Sequence, residues 1–435
     1  MTPILTARTE NMHRRFLYSN DDSDEEDEEE SLYEILAVFG LNKKTKSIKY
    51  KHERLNWQDH VRRLQYTKTF ASRYHMTLPS FNSLVDLLRP WITVNAMKSR
   101  NSTRDNEPIY PEMIVGAGLR FLGGSFHKDI EDIYGISNHS SRRIIGMFVL
   151  AVKSCDELAI RLPQSTEALQ DVTNGFAKCS SAYPLFHGCV SCIDGWLACI
   201  NKPKEKVGVR PNDFFSGHYA TFGLNVQAMC DSKLRFTYFA VAAAGKTNDN
   251  RAFSRCQDLK EWIDTLPEGY FIIGDNAYTV TNRLLIPFTA IQLGNDEYRR
   301  TYNYFLSQLR IRIEMAFGRL TTKWRIFRRN MEGDLDRIAS LIMTAARIHN
   351  FVIDHDSVDN TANGLVGNFL DPLQWGVDTL HNIPQAPNNN GYLNDLTVLE
   401  DDTPSAQRNA ILIGIVERDL RRPEHNVLRN LAERG

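Results

Sequence analysis

The chain has 435 residues, 42% of them hydrophobic and 22 of them Phe, enough for two or three structural units with real cores. Formal net charge is −1, but residues 21–30 (DDSDEEDEEE) hold nine carboxylates, and without that run the rest carries about +8. Seven scattered Cys, a start (MTPILTARTE) without an apolar core and the lack of any membrane-length apolar run argue against a secreted disulfide scaffold and a membrane protein. A chain working in a reducing compartment is the expectation.

Residues 1–55 read as a tail, because the acidic run repels itself and has too little apolar surface to fold. The basic stretch KKTKSIKYKHER (43–54) that follows suits a nuclear-import patch. Residues 56–155 have helical periodicity. FNSLVDLLRPWI places apolar residues at Phe81, Leu84, Val85, Leu87 and Leu88 and stops at Pro90. Pro111 opens the next helix, which closes at Gly123 and Gly124. KDIEDIYGISNHSSRRIIGMFVLAV then predicts a short helix, a turn at Gly135 and a longer helix capped by Ser137 or Asn138. Arg142 and Arg143 fall in its first turns. That outline suits a helix-turn-helix, with these arginines as candidate DNA contacts, and equally suits any αα-hairpin.

The period then changes. GCVSCIDGWLACI, YATFGLNVQAMCD, LRFTYFAVAAA and YFIIGDNAY predict strands, with a tight hairpin turn at Asp231 and Ser232. NRAFSRCQDLKEWID predicts one helix between the third and fourth strands, so the fourth can run parallel to its neighbour. A long basic amphipathic helix is predicted from Ser307, and a second, RIASLIMTAARIHNFVID, after Gly333. Residues 355–402 read as a loop or linker, and 403–435 as a helix begun by Thr403 and Pro404. The fold class is α/β: a mixed sheet flanked by helices, preceded by an all-helical region.

Three acids stand out. Asp194 interrupts an apolar strand, Asp275 follows Phe271, Ile272, Ile273 and Gly274 at a strand's C-terminal end, and Glu314 lies on the basic helix. Carboxylates beside apolar strands are costly without a cationic partner. Hard divalent cations suit such oxygens, and two of them can clamp both oxygens of a phosphodiester displacement. From Arg299 to Arg329 there are nine Lys/Arg and one acid, Glu314. Arg310 shares a face with Glu314, as a DNA contact or as a plain i,i+4 surface pair, while Arg312, Arg319 and Lys323 are candidates to follow a phosphate backbone. Trp324 and Phe327 offer stacking or core surfaces. Asp249 suits a helix N-terminus, with an auxiliary role beside the metal acids as the functional alternative. Cys189 and Cys192 form a CxxC without further ligands at zinc spacing.

In order, DFFSGHYATFGLNVQAMCD, GKTNDNRAF, GDNAY, LLIPF, SQLRIRIEMAFGRLTTKWRIF and ARIHNF resemble the PIF/Harbinger transposases and their DDE endonuclease domain, over about residues 185–354. The resemblance implies an RNase H-like fold, with Asp194, Asp275 and Glu314 as catalytic acids and ligands of two divalent cations, Mg²⁺ or Mn²⁺. It implies cut-and-paste transposition of double-stranded DNA bearing terminal inverted repeats, work in the nucleus, and association with a Myb-like partner or further copies of the chain. Lys246 and Asn248 depart from the family's usual small residue and frequent His, and neither is a metal ligand. A host DNA-binding or chromatin protein derived from such an enzyme, without cleavage, is the rival expectation.

Overall fold

The computed structural model describes residues 52–101, 107–182, 185–205, 208–356 and 405–423. The acidic run, most of the basic patch, the 357–402 part of the expected linker, and Thr403 and Pro404 lie outside them. The chain divides into two compact units, Met1–Asp156 and Glu157–Gly435.

The described part of the first unit is helical: α1 (Trp57–Tyr66), α2 (Phe70–Tyr74), α3 (Leu78–Leu88), α4 (Ala96–Asn101), α5 (Pro111–Leu122), α6 (His127–Tyr134) and α7 (Asn138–Ser154). Pro90 does end α3, in a single 3₁₀ turn over Arg89–Trp91. Gly135 closes α6 with φ of 58°, a left-handed geometry that costs glycine nothing. Ser137, rather than Asn138, caps α7 by accepting from the Ser140 N–H. Arg142 and Arg143 are exposed on that helix, with Arg142 Nε donating to Asn138 Oδ1 at 2.8 Å. The core is aromatic: the Trp57 ring stacks on Phe81 at 5.4 Å, and Tyr74 and Phe81 are fully buried.

The second unit is mixed α/β. Its elements are α8 (Thr166–Ala177), β1 (Cys189–Cys199), β2 (Phe215–Ser216), β3 (Thr221–Cys230), β4 (Phe236–Ala244), α9 (Asp249–Ser254), α10 (Gln257–Thr265), β5 (Phe271–Ile273), β6 (Leu284–Leu285), α11 (Ala290–Leu293), α12 (Glu297–Lys323), α13 (Leu335–Asp356) and α14 (Ala406–Glu417). The sheet runs β2-β3-β1-β5-β6, with β4 also on β3. The β1-β3-β4 pairings are antiparallel and β1-β5-β6 parallel.

Helices cover both faces, which explains why Cys189 to Ile193 are buried without alternation. Val190, Ile193, Met229 and Tyr238 pack in one cluster with Leu169 of α8 and Leu259, Trp262 and Ile263 of α10. On the other face Cys192 Sγ donates to Leu309 O of α12 at 3.1 Å, and Trp196 meets Phe317 at 5.8 Å. At the far edge Asn350 of α13 pairs with the backbone of Phe236 on β4. It accepts from the N–H and donates to the C=O, each at 2.8 Å.

Several local expectations change. The single helix expected over Asn250–Asp264 is two, broken at Arg255 and Cys256, where the Arg255 N–H bonds Ala252 O in a tightened last turn and Cys256 turns to ψ of 71°. The α12 helix starts ten residues before Ser307, because Asp296 caps it by accepting from Tyr298 and Arg299 N–H groups. The hairpin connection spans Asp231–Arg235 instead of a two-residue turn, with Asp231 Oδ1 accepting from Lys233 and Arg235 N–H and Leu234 at φ of 69°. Ser405 caps α14. All seven cysteines are free thiols.

Candidate active site

Asp194 sits inside β1, opposite Ala228 of β3. Since β5 pairs only with Cys189–Cys192 of β1, the strand runs on past the end of β5, and Asp275 stands two residues beyond that end. The crevice outside a parallel strand's carboxyl end is where α/β sheets gather ligands. The two acids face the same space. Burial, then the neighbouring Asp275 carboxylate and more distantly Glu314, push Asp194 up to about 7, against the Gly195 N–H and Arg310. Burial likewise raises Asp275, with Asp249 and Glu314 adding to it, while the Ala277 N–H and Arg310 oppose.

Glu314 comes from α12, one turn after Arg310. Their side chains form an ion pair at 2.6 Å and are 47% and 25% exposed, respectively. Arg310 thus acts on all three acids. Among the described residues no three His, Cys, Asp or Glu side chains stand close enough to cage a metal ion directly. The donor chemistry nevertheless fits hard divalent cations: carboxylate oxygens only, two of them mutually repelling and part-buried.

A second polar layer stands behind the first. Asp249 is the first residue of α9, with Asn248 as the cap accepting from Arg251 N–H. Its Oδ1 accepts from Asn225 Nδ2 at 2.9 Å and from Gln227 Nε2 at 3.2 Å. Gln227 is fully buried, and its Oε1 accepts from Tyr278 Oη at 2.8 Å. Tyr278 lies three residues past Asp275, so Gln227 links the start of α9 to the Asp275 loop. Asp249 approaches so closely that a Cβ on Gly195 would lie 2.0 Å from its Oδ1. The glycine is therefore a steric requirement next to Asp194. Asn225 and Gln227 were not singled out in the sequence. Their signal was alternation, two amides two residues apart on one face of an otherwise apolar strand.

The β2–β3 hairpin tip, Gly217–Ala220, presents an exposed Tyr219, with Ala220 at φ of 51°. Burial and then Asp249, Asp194 and Asp275 raise the Tyr219 phenol, placing this tip within electrostatic reach of the acids.

The other basic candidates on α12 lie in different surroundings. Arg312 has a buried Nε without a hydrogen-bond partner and faces Cys179 and Cys230. Burial lowers Arg319, and lowers Lys323 to about 8, with Asp356 of α13 as the carboxylate beside both. Neither is fully exposed, so the helix does not present an open basic track along its length. Trp324 is completely buried, and the half-buried Phe327 packs edge-on against Trp196 at 5.1 Å.

No helix of the described residues is long and apolar enough to cross a membrane. Neither a curated protein nor a solved structure matches the chain. Residues 193–350 do match a family model, that of the DDE superfamily endonuclease. The match opens one residue before Asp194, closes on Asn350, and so contains every acid of the crevice and the strand that carries its amides: this part of the second unit is similar to a DDE superfamily endonuclease, which suggests nuclease or transposase activity.

Proposed function

We propose that the chain is a metal-dependent DNA endonuclease and transposase of PIF/Harbinger type, its second unit an RNase H-like nuclease. The observation that carries this is Asp194, a strand-interior carboxylate raised to about 7 beside Asp275, inside the matched stretch. Asp194, Asp275 and Glu314 are the ligands we assign to two divalent cations, Mg²⁺ or Mn²⁺, with Asp249 as an auxiliary acid. When bound, such ions activate the attacking oxygen and neutralise the leaving one. The protein's own work is to hold the carboxylates. Arg310 keeps Glu314 beside the crevice, the Gly195 and Ala277 N–H groups orient Asp194 and Asp275, and the Asn225–Gln227–Tyr278 chain fixes Asp249. The same set would serve cutting at transposon ends and then attack of the freed 3′ hydroxyl on target DNA.

For the first unit we propose a helix-turn-helix role for α6 and α7, with Arg142 and Arg143 reaching DNA. Work in the nucleus, with a Myb-like partner and as an oligomer, belongs to the same proposal. In the assay, full-length protein with Mn²⁺ or Mg²⁺ nicks DNA bearing its terminal repeats. Asp194→Asn abolishes nicking and spares binding; equal nicking by that variant would sink the assignment. A non-cleaving host DNA-binding protein is the second reading, favoured by one observation, the closed Arg310–Glu314 pair. It requires that nicking be absent from the wild type under every metal tried.

A further inference from the structure

The first unit holds a cleft of about 590 Å³ whose lining includes Arg63, Arg73 and Arg120, contributed by α1, α2 and α5. Among the described residues none of the three meets a carboxylate at ion-pairing distance, although Asp132 also lines the cleft. Arg120 lies over the Tyr74 ring at 5.0 Å, and its buried Nε has no hydrogen-bond partner. Arg63 is steered by His60. A guanidinium can only donate, so His60 Nδ1 accepts from Arg63 at 3.3 Å, leaving the ring proton on Nε2 to donate to Tyr74 Oη at 2.9 Å. His60 stays neutral there: burial, then Arg120, Arg63 and Arg73, lower it to about 4. The ring therefore orients one arginine without adding a fourth positive charge.

Three guanidinium groups around one opening repel one another, and orienting them with a stack and a histidine raises that cost. An anion entering the cleft would relieve it, and a planar fork of N–H donors suits phosphate oxygens. The rim indicates which phosphate. Thr67 and Thr69 line the cleft and bond each other at 2.7 Å, and between them Lys68 is held at φ of 54°. Tyr66 beside it is 90% exposed. An open cleft, with Lys68 and an exposed Tyr66 on the same segment as its lining residues Thr67 and Thr69, suits a polymer passing across it better than an enclosed small molecule.

We infer that Arg63, Arg73 and Arg120 form a docking site for a backbone phosphate of nucleic acid, with Lys68 and Tyr66 extending the contact. This rests on the reading of the chain as a DNA enzyme and places a contact surface away from Arg142 and Arg143 in the sequence.

The test is binding of the full chain to short DNA duplexes of unrelated sequence without divalent ions, followed by anisotropy against salt. Arg63→Gln and Arg73→Gln should each lower the slope of log affinity against log salt by about 0.9, equally for all duplexes. Arg73→Lys should keep the slope. Arg62→Gln should keep it too, because Arg62 pairs with Asp59 at 2.8 Å. Both Gln positions are exposed, so folding should persist, and the Lys variant separates charge from fold. Unchanged slopes in the Gln variants, or an equal fall in Arg62→Gln, overturn the proposal. So does inorganic phosphate that stabilises the wild type but not Arg73→Gln while DNA slopes stay unchanged, since that marks a free-phosphate site. Cleavage plays no part in this readout. A wild type that binds as expected but never nicks DNA defeats the nuclease reading alone, and one that nicks while the Gln variants bind normally defeats the docking site alone.

Discussion

Asp194 and His349 pull the stability of the metal-free protein in opposite directions over one pH range. The His349 ring is buried, tilted against the Phe236 ring, and uses Nε2 to donate to Leu234 O, so burial holds it down near 3, opposed by that carbonyl. Its unfolded value is the ordinary 6.5, so the stabilisation is complete above 6.5 and is lost as pH falls toward 3. Asp194 is raised, so its contribution is fullest below the ordinary carboxylate range and is lost as pH rises toward 7. Each is worth on the order of a few kcal/mol, since one unit is about 1.4 kcal/mol. Chemical denaturation between pH 4 and pH 7 should show His349→Gln flattening the loss in acid, because Gln keeps a donor for Leu234 but cannot titrate. Asp194→Asn should steepen it. Identical slopes in all three proteins would mean neither group titrates as placed.

Asp194 was legible in the sequence because a carboxylate in SCIDGWLACI has no cheap structural explanation. Glu314 was legible only in part: helical spacing offered Arg310 as its i,i+4 partner, and the two pair at 2.6 Å, but not that Arg310 would also act on Asp194 and Asp275. The surroundings of Arg319 and Lys323, candidates for a phosphate backbone, were not legible. Periodicity assigns a residue to a side of its helix, and says nothing of what later packs there. Here Asp356 of α13 stands beside both.

At the scale of elements, the crevice depends on β3 and α9 as much as on the strands that carry its acids. The amide pair Asn225 and Gln227 replaces apolar side chains on a covered strand face, and Gln227 is satisfied on three sides: it donates to Asn225 and Asp249 and accepts from Tyr278. Tyr278→Phe removes one hydroxyl and keeps the ring packed on Phe253 at 5.6 Å. The expected outcome is a small stability loss of about 1 kcal/mol, with a several-fold rise in the Mn²⁺ concentration needed for half-maximal thermal stabilisation. Gly195→Ala should do more, displacing Asp249 outright. If both variants keep the wild-type Mn²⁺ midpoint, the amide chain has no part in holding the acids. Strands β1, β3, β4 and β5 were readable from β-branched and aromatic runs, and a parallel β5 from the intervening helical stretch, but not the strand order that makes β1 its neighbour. The break between α9 and α10 was not, because nothing in FSRCQD marks a stop as glycine or proline would.

For the whole molecule, net charge near zero conceals a division of labour. The acidic run lies at 21–30, Arg63, Arg73 and Arg120 of the first unit share one cleft, and Asp194, Asp275 and Glu314 of the second stand near Arg310. Sequence averages cannot show this, since only folding brings Arg63, Arg73 and Arg120 to one opening.

The amide of Asn350 has a meaning beyond holding a helix in place. A strand that ends a sheet exposes a row of unmet N–H and C=O groups, a template for any other extended chain. By matching both groups of Phe236, Asn350 imitates the next strand at one rung and denies that rung to outsiders. Asn350→Leu should therefore increase concentration-dependent association, read by light scattering at a temperature where the secondary structure is still intact. A variant as monodisperse as the wild type would show that the edge is guarded by other means.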